Sequence, residues 1–413
     1  MNITYEKLKA TSFDKHFIAP CDVILQEGLD QETTLRLING CARSDSSPSK
    51  KTHAALSLLG SAPKWGKRQR TIYGRIWKLV EEVADGIADH TFKSSIERAE
   101  TFGKMSTVAR AARRTDECVS FARQALEAET RQWARYIGYE MLTSCLHHAG
   151  ESETAHEAHV EAANEGLYNS GDAHRPGGSL LFFPNMTARP VWDVTDLPEE
   201  LASIVTLVER STTVIKEELR VFLGGDISGN IGDKLTIKPE MLTTLAGGWR
   251  EINLFSKGYI HEKSCESFPK TCAVFEPITN LTSVGFVKFS SLEPRTRIYP
   301  HSSKINLQLR NHLGLEVEEG ILRVGPEKRS WEEGKVITFD DSYDHEAQNT
   351  ASTRRIILLF DFWHPDLPLP VLRRLQHGKR RVIHDDVSGA ERGEFVVEEE
   401  NIEVKDLIQL VQK

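Results

Sequence analysis

The chain has 413 residues, 39% of them hydrophobic and 27% charged, with a net charge of −8. That length suits two or three domains with ample core, and the acidic balance gives no electrostatic reason to expect nucleic acid as a partner. No apolar run reaches the ~18 residues of a membrane span, and Met1 to Phe17 lacks the apolar core of a signal peptide, so the expected location is cytoplasmic.

In chain order, residues 1 to 60 give no regular pattern, and Ser44 to Lys51 reads as an exposed loop. From Trp65 to about Gly166 the chain is helical in character. Trp65 to Ala84 places Ile72, Ile76, Leu79 and Val80 at spacings of three and four. Thr107 to Ala128 continues the pattern with Val108, Ala112, Val119, Ala122 and Leu126 on one stripe, followed by Gln132 to Ala149. Gly150 ends that helix, and the next begins at Glu151. Paired amphipathic helices with small residues at their contacts suggest a tetratricopeptide-like array. Gly171, Pro176, Gly177 and Gly178 mark a domain boundary.

Beyond it the texture changes to short β-branched and aromatic runs: Leu180 to Phe183, Ala273 to Phe275, Val284 to Phe289, Gly320 to Val324, Val336 to Phe339 and Arg355 to Phe362. One helical insertion, Pro198 to Phe222, interrupts them. Many short strands imply an antiparallel sandwich or open barrel, and the overall class is α+β. The expected domains are a helical region over 1–170, a strand-rich domain over 178–370 and a charged tail over 371–413, in which Glu394 to Glu403 is almost all acidic or apolar. Six cysteines are too few for a disulfide scaffold. Cys265 and Cys272 are close enough to pair around Pro269, though two reduced buried thiols are the plainer expectation.

Chemistry concentrates in the strand-rich region. His301 and His345 sit in matching contexts, Pro300-His301-Ser302-Ser303 and Asp344-His345-Glu346, and Arg355 follows ten residues after the second. Imidazoles on a strand scaffold, with a cation heading a β-branched strand, suit a non-haem iron that also holds an anionic cosubstrate. Taken singly, either histidine is more often a satisfied core residue. Arg355 opens an apolar run that leaves little room for a surface salt bridge, and Arg354 points to the other side of the strand. Gln308, Arg310 and His312 share one strand face by alternation. His156 and His159, three apart, have zinc-capable spacing but lie in a charged, solvated-looking helix, and His147 and His148 read as cations at a helix C-terminus. The sequons at Asn185 and Asn280 matter only in a secreted protein.

From Lys288 to Leu367 the text resembles the aspartyl/asparaginyl β-hydroxylase family. The matching stretches include Tyr299-Pro300-His301, Leu309-Arg310-Asn311-His312-Leu313-Gly314-Leu315, Trp331-Glu332-Glu333-Gly334-Lys335, Phe339-Asp340-Asp341-Ser342, His345-Glu346 and Phe362-Trp363-His364-Pro365-Asp366-Leu367. The resemblance implies a double-stranded β-helix (jelly roll) and an Fe(II)- and 2-oxoglutarate-dependent dioxygenase that uses O₂. It implies His301 and His345 as metal ligands. Arg355, Arg310, His312, Ser290 and Trp249 fall to the cosubstrate, with Ser291 competing for the position of Ser290. His312 as a third ligand is the lesser alternative.

The usual ligating carboxylate, two residues after the first histidine, is here Ser303, where relatives without that carboxylate have glycine. Asp341 is then expected to steady a water near the metal, or to cap a turn. Gln308 stands where the animal peptidyl hydroxylases have an arginine for the substrate's carboxylate. The substrate is therefore open between a peptidyl Asp or Asn side chain and a free amino acid or small metabolite. A non-catalytic helical-repeat scaffold is the reading from another class; retention of His301, His345 and Arg355 counts against it.

Overall fold

The computed structural model describes residues 94–177, 182–224 and 248–368, together with isolated positions before and after them. The chain divides into two units, Met1–Leu167 and Tyr168–Lys413. The first unit is helical in its described part: α1 (Ser95–Ala111), α2 (Thr115–Ala128), α3 (Gln132–Ala149) and α4 (Ser152–Asn164). Ser94 caps α1 by accepting a hydrogen bond from Glu97 N, and Gly150 closes α3 in the left-handed region at φ 87°.

The continuous helix expected over Thr107 to Ala128 is instead two helices. Arg113 takes φ 61°, and Arg114 N returns to Ala109 O at 2.8 Å. No glycine or proline announces this break; the acidic Asp116 and Glu117 in the first turn of α2 are the signal that periodicity passes over. His159 also departs from expectation, being buried with its ring 6.3 Å from that of His147. Most of Trp65 to Ala84, the loop Ser44 to Lys51 and the acidic stretch of the tail lie outside the described residues. No described helix is long and apolar enough to cross a membrane.

The second unit is built on two sheets. Its strands are β1 (Val191–Trp192), β2 (Thr236–Ile237), β3 (Trp249–Ser256), β4 (Tyr259–His261), β5 (Phe286–Leu292), β6 (Arg297–His301), β7 (Gln308–Glu316), β8 (Gly320–Val324), β9 (Glu327–Arg329), β10 (Val336–Phe339), β11 (His345–Asn349), β12 (Arg355–Trp363) and β13 (Val382–Ile383). The larger sheet runs β1-β10-β7-β12-β5-β3-β4-β13, with β2 on β3; the smaller runs β6-β11-β8-β9. All pairings are antiparallel except that of β13 with β4.

Strand β12 shows why the layers form. Every residue of it is buried, as expected of a central strand covered on both faces. Ile356, Leu358, Phe360 and Phe362 join Leu309, Leu313 and Leu315 beneath α5 (Glu199–Arg210) and α6 (Thr212–Leu223), which contribute Ile204, Val208, Ile215 and Leu219. Ile357 and Leu359, on the opposite face, meet Ile298, Leu322, Val324 and Ala347 of the smaller sheet. The expected insertion Pro198 to Phe222 is thus a pair of helices meeting at Ser211. Ala273 to Phe275, expected as a strand, lies in the helix Pro269–Phe275, whose N-terminal proline and buried Phe275 suit a helix packed on the sheet. Phe182 and Phe183, the described part of another expected strand, are in no strand.

The two sulfur pairs Cys118–Cys145 and Cys265–Cys272 are bonded, so the looped alternative holds at Cys265 rather than two thiols.

One crossing of backbones shapes the site. Gly314 N donates to Lys335 O at 3.0 Å and Gly334 N to Gly314 O at 2.9 Å, so the segment carrying Trp331 lies directly on β7. A Cβ on Gly314 would stand 2.2 Å from Glu332 O, a backbone atom with no room to yield. Gly314→Ala is expected to cost about 3 kcal/mol or more, read as a lowered melting temperature. An unchanged melting temperature would refute this packing.

Candidate active site

His301 ends β6 and His345 begins β11, directly opposite each other in the ladder, with ring centroids 4.3 Å apart. Each ring is anchored in the same way. His301 Nδ1 lies 2.8 Å from Tyr299 O, and His345 Nδ1 lies 2.8 Å from Tyr343 O. A carbonyl only accepts, so both Nδ1 atoms carry hydrogen, and in the neutral rings the lone pair sits on Nε2. Metal-binding imidazoles are commonly oriented this way. Burial, and then the neighbouring His301, push His345 well below the usual histidine range and keep it neutral. Among the described residues no third His, Cys, Asp or Glu joins this pair within 4.8 Å.

The segment before His345 is pinned from behind. Arg175 donates to Ser342 Oγ and Asp340 Oδ2, both at 2.8 Å, while Arg323 holds Asp344 and Glu346 and Arg297 holds Glu346. Asp340, not Asp341, makes the Asx turn, accepting from Ser342 N at 2.9 Å. Ser303 N donates to Asp341 O, and Ser303 Oγ accepts from Ile305 N at 3.3 Å. The serine hydroxyl that replaces the expected carboxylate is therefore occupied with its own turn.

His312 differs in kind. Trp331 Nε1, which only donates, lies 3.3 Å from His312 Nδ1, so the His312 hydrogen is on Nε2. Burial and then Arg355 push this ring well below the usual range too. His312 is thus a neutral hydrogen-bond donor, where His301 and His345 present lone pairs.

The larger sheet turns three cations toward the smaller one. Lys288 meets Glu251 at 2.8 Å, and Arg310 meets Asp361 at 2.8 Å and Asp341 at 3.1 Å. Burial alone would lower Arg310, but Asp361 and Asp341 outweigh it and hold the guanidinium above its usual value. Arg355 meets no carboxylate among the described residues. It is 3% exposed, its Nε and Nη1 lack any partner, and its guanidinium carbon sits 4.7 Å from the Trp331 ring centroid. Burial pulls it down to about 9, which still leaves it charged at neutral pH. A buried guanidinium with unmet donors is costly by itself and fits an anion that binds there. Arg354, on the opposite side, pairs with Glu293 at the surface.

Trp249 Nε1 donates to Ser290 Oγ at 3.0 Å, which selects Ser290 over Ser291 as its partner. Gln308 Nε2 donates to Asp341 Oδ2 at 2.7 Å. Asp341 Oδ1 is buried without a partner, and burial raises the Asp341 carboxyl to about 7 against the pull of Arg310, with Asp361 and Asp340 adding to the rise. The fold therefore gathers His301, His345, Asp341, Gln308, Arg310, His312 and Arg355 on the facing sides of the two sheets, with Trp249 and Ser290 on the same side of the larger one. Sequence reasoning gave no role to Trp331 or Asp361. Trp331 stands within a matched motif, and Asp361 is a lone charge in the apolar run of β12; both were signals.

Asp341→Asn tests the buried charge. The folded chain keeps this proton up to about pH 7, whereas an unfolded aspartate loses it near pH 3.9. Native stability therefore falls as pH rises through that window, and the asparagine variant escapes the fall. Its melting temperature relative to the parent should climb from pH 4 to 7 and then level. A difference independent of pH would refute the assignment.

Comparison with known proteins places this constellation. Residues 209–365 match the family model described as aspartyl/asparaginyl beta-hydroxylase. Over 193 residues the chain is 41% identical to the human aspartyl/asparaginyl beta-hydroxylase and 34% identical to that of Mus musculus, covering 46% of this chain. It spans about a quarter of those relatives' length, 24% and 25%. It is also 36% identical over 121 residues to an ornithine lipid ester-linked acyl 2-hydroxylase of Rhizobium tropici, covering 28% of this chain and 42% of that protein. A solved Pseudomonas putida prolyl-4-hydroxylase aligns with 39% of this chain and 98% of its own at 10% identity and a TM-score of 0.25, too slight a likeness to carry an argument. Residues 209–365 thus form a domain of the aspartyl/asparaginyl β-hydroxylase family.

Proposed function

We propose that residues 178–370 are a double-stranded β-helix oxygenase domain that uses Fe(II), 2-oxoglutarate and O₂ to hydroxylate an unactivated carbon. The region 1–170 is read as a tetratricopeptide-like array and 371–413 as a charged tail. The observation that carries the proposal is the pairing of two lone-pair-bearing imidazoles with a buried arginine that has unmet donors.

His301 and His345 would hold the metal through Nε2. Bound there, iron would supply the redox chemistry by which substrate, O₂ and 2-oxoglutarate become the alcohol, succinate and CO₂. The protein's part is to bind, orient and exclude water. Arg355 takes the distal carboxylate of 2-oxoglutarate through its unmet Nε and Nη1 donors. His312 adds its Nε2–H, a tautomer that Trp331 imposes, and Trp331 also backs the guanidinium. Trp249 and Ser290 close the cosubstrate side. Arg310, expected on the cosubstrate, is held by Asp361 and Asp341, so it serves chiefly to fix those carboxylates. Asp341 offers Oδ1 to a water. The named relatives make a polypeptide Asp or Asn side chain one substrate class, and Gln308 favours the alternative of a free amino acid or small metabolite.

Incubation of the purified chain with Fe(II), 2-oxoglutarate and O₂ tests the proposal. Succinate should form, slowly without substrate, and only when iron is present. Absence of iron-dependent succinate under all substrate mixtures would overturn it.

A further inference from the structure

The polarity of the substrate can be read from the charges that remain once the cosubstrate is placed. This step rests on the oxygenase reading above. With Arg355 assigned to the 2-oxoglutarate carboxylate and Lys288 matched by Glu251, one cation remains on the inner face of the larger sheet, Arg310, and it is shared by two carboxylates, Asp361 and Asp341. One negative charge is left over. It falls on Asp341, whose Oδ2 is taken by Gln308 and Arg310 and whose Oδ1 is buried and unpartnered.

Gln308 carries the same polarity forward. Its Nε2 is spent on Asp341, which leaves Oε1 as the end it can offer to a ligand. Asp341 lies beside the histidine pair: its carbonyl accepts from Ser303 N, two residues past His301, and it precedes His345 by four residues. Two acceptor oxygens, Gln308 Oε1 and Asp341 Oδ1, thus adjoin the proposed metal with a surplus of negative charge. A carboxylate brought there would face acceptors and a like charge in a poorly solvated place. An N–H donor would satisfy both oxygens and displace the water that otherwise occupies Oδ1.

We infer that this site selects a substrate presenting an N–H donor group, an ammonium, guanidinium or carboxamide, and rejects an aspartyl carboxylate. The Gln308–Asp341 pair is the specificity-determining element.

The test uses the full chain loaded with Zn(II), so that nothing turns over, and calorimetric binding. First 2-oxoglutarate is titrated; failure at this stage strikes the oxygenase reading and is seen separately. The saturated protein then receives the N-acetyl amides of aspartate, asparagine and lysine in turn. Asparagine and lysine derivatives should bind at least about tenfold tighter than aspartate. Gln308→Arg should shift the aspartate-to-lysine affinity ratio about a hundredfold toward aspartate. Asp341→Asn, which keeps an acceptor and loses the charge, should erase the advantage of lysine over asparagine and keep asparagine binding. Aspartate bound as tightly as the other two, ratios unmoved by either substitution, or saturated protein that binds none of the three would each overturn the inference.

Discussion

Replacing either His301 or His345 by alanine is expected to reduce iron-dependent turnover by about three orders of magnitude or more. The two rings are the only His, Cys, Asp or Glu side chains that stand together at this point among the described residues, because the position two after His301 holds a serine engaged with Ile305 N. Loss of one therefore removes half of the protein's ligands, a larger change than the ~10–100-fold losses typical of outer contacts. A fold defect is easily separated from a ligand defect. His301 lies at the end of β6 and is only part-buried, so His301→Ala should unfold within a few degrees of the parent. Turnover that survives both substitutions would remove the metal assignment.

Arg355→Ala should weaken 2-oxoglutarate binding by about a hundredfold to a thousandfold, the equivalent of two charge-assisted hydrogen bonds at roughly 1.5–2 kcal/mol each. The same change should leave the ligand-free protein as stable as before, or more so. Its Nε and Nη1 have no partner in the protein, so nothing in the fold loses a bond when they go, and a buried charge is relieved. That opposition of effects, affinity lost and stability kept, marks a binding residue. Arg355→Lys should recover only part of the affinity, because an ammonium cannot form the two-pronged contact. A large loss of stability with unchanged affinity would make Arg355 structural instead.

Much of the scaffold was legible because a few local rules decide it. Gly320 to Val324 and Val336 to Phe339 are strands with the expected bounds, and β12 overruns its expected end by one residue. Gln132 to Ala149 is a helix as read, ended by a left-handed Gly150. The errors came where tertiary contacts override short patterns. Three β-favouring residues at Ala273 to Phe275 say little against a proline start and a hydrophobic surface waiting beneath a helix. The turn at Arg113 carries no glycine.

At the site, residue types and strand alternation were readable: Gln308, Arg310 and His312 do share a face. The proton positions were not. That His312 is a donor while His301 and His345 are acceptors follows from Trp331, nineteen residues from His312, and from two backbone carbonyls. Nor does the sequence disclose that Asp361 meets Arg310 from across β7 and β12 and thereby alters what Arg310 and Asp341 can do.

The central claim is that two histidines and one unpartnered arginine form a single metal-and-cosubstrate site. Calorimetric titration of 2-oxoglutarate into the full chain under anaerobic conditions, with and without Fe(II), measures it most directly. The account predicts one molecule bound per chain, tightly only with the metal present, and weakened about a hundredfold or more in Arg355→Ala. Binding indifferent to iron and to Arg355, or no binding at all, would contradict it.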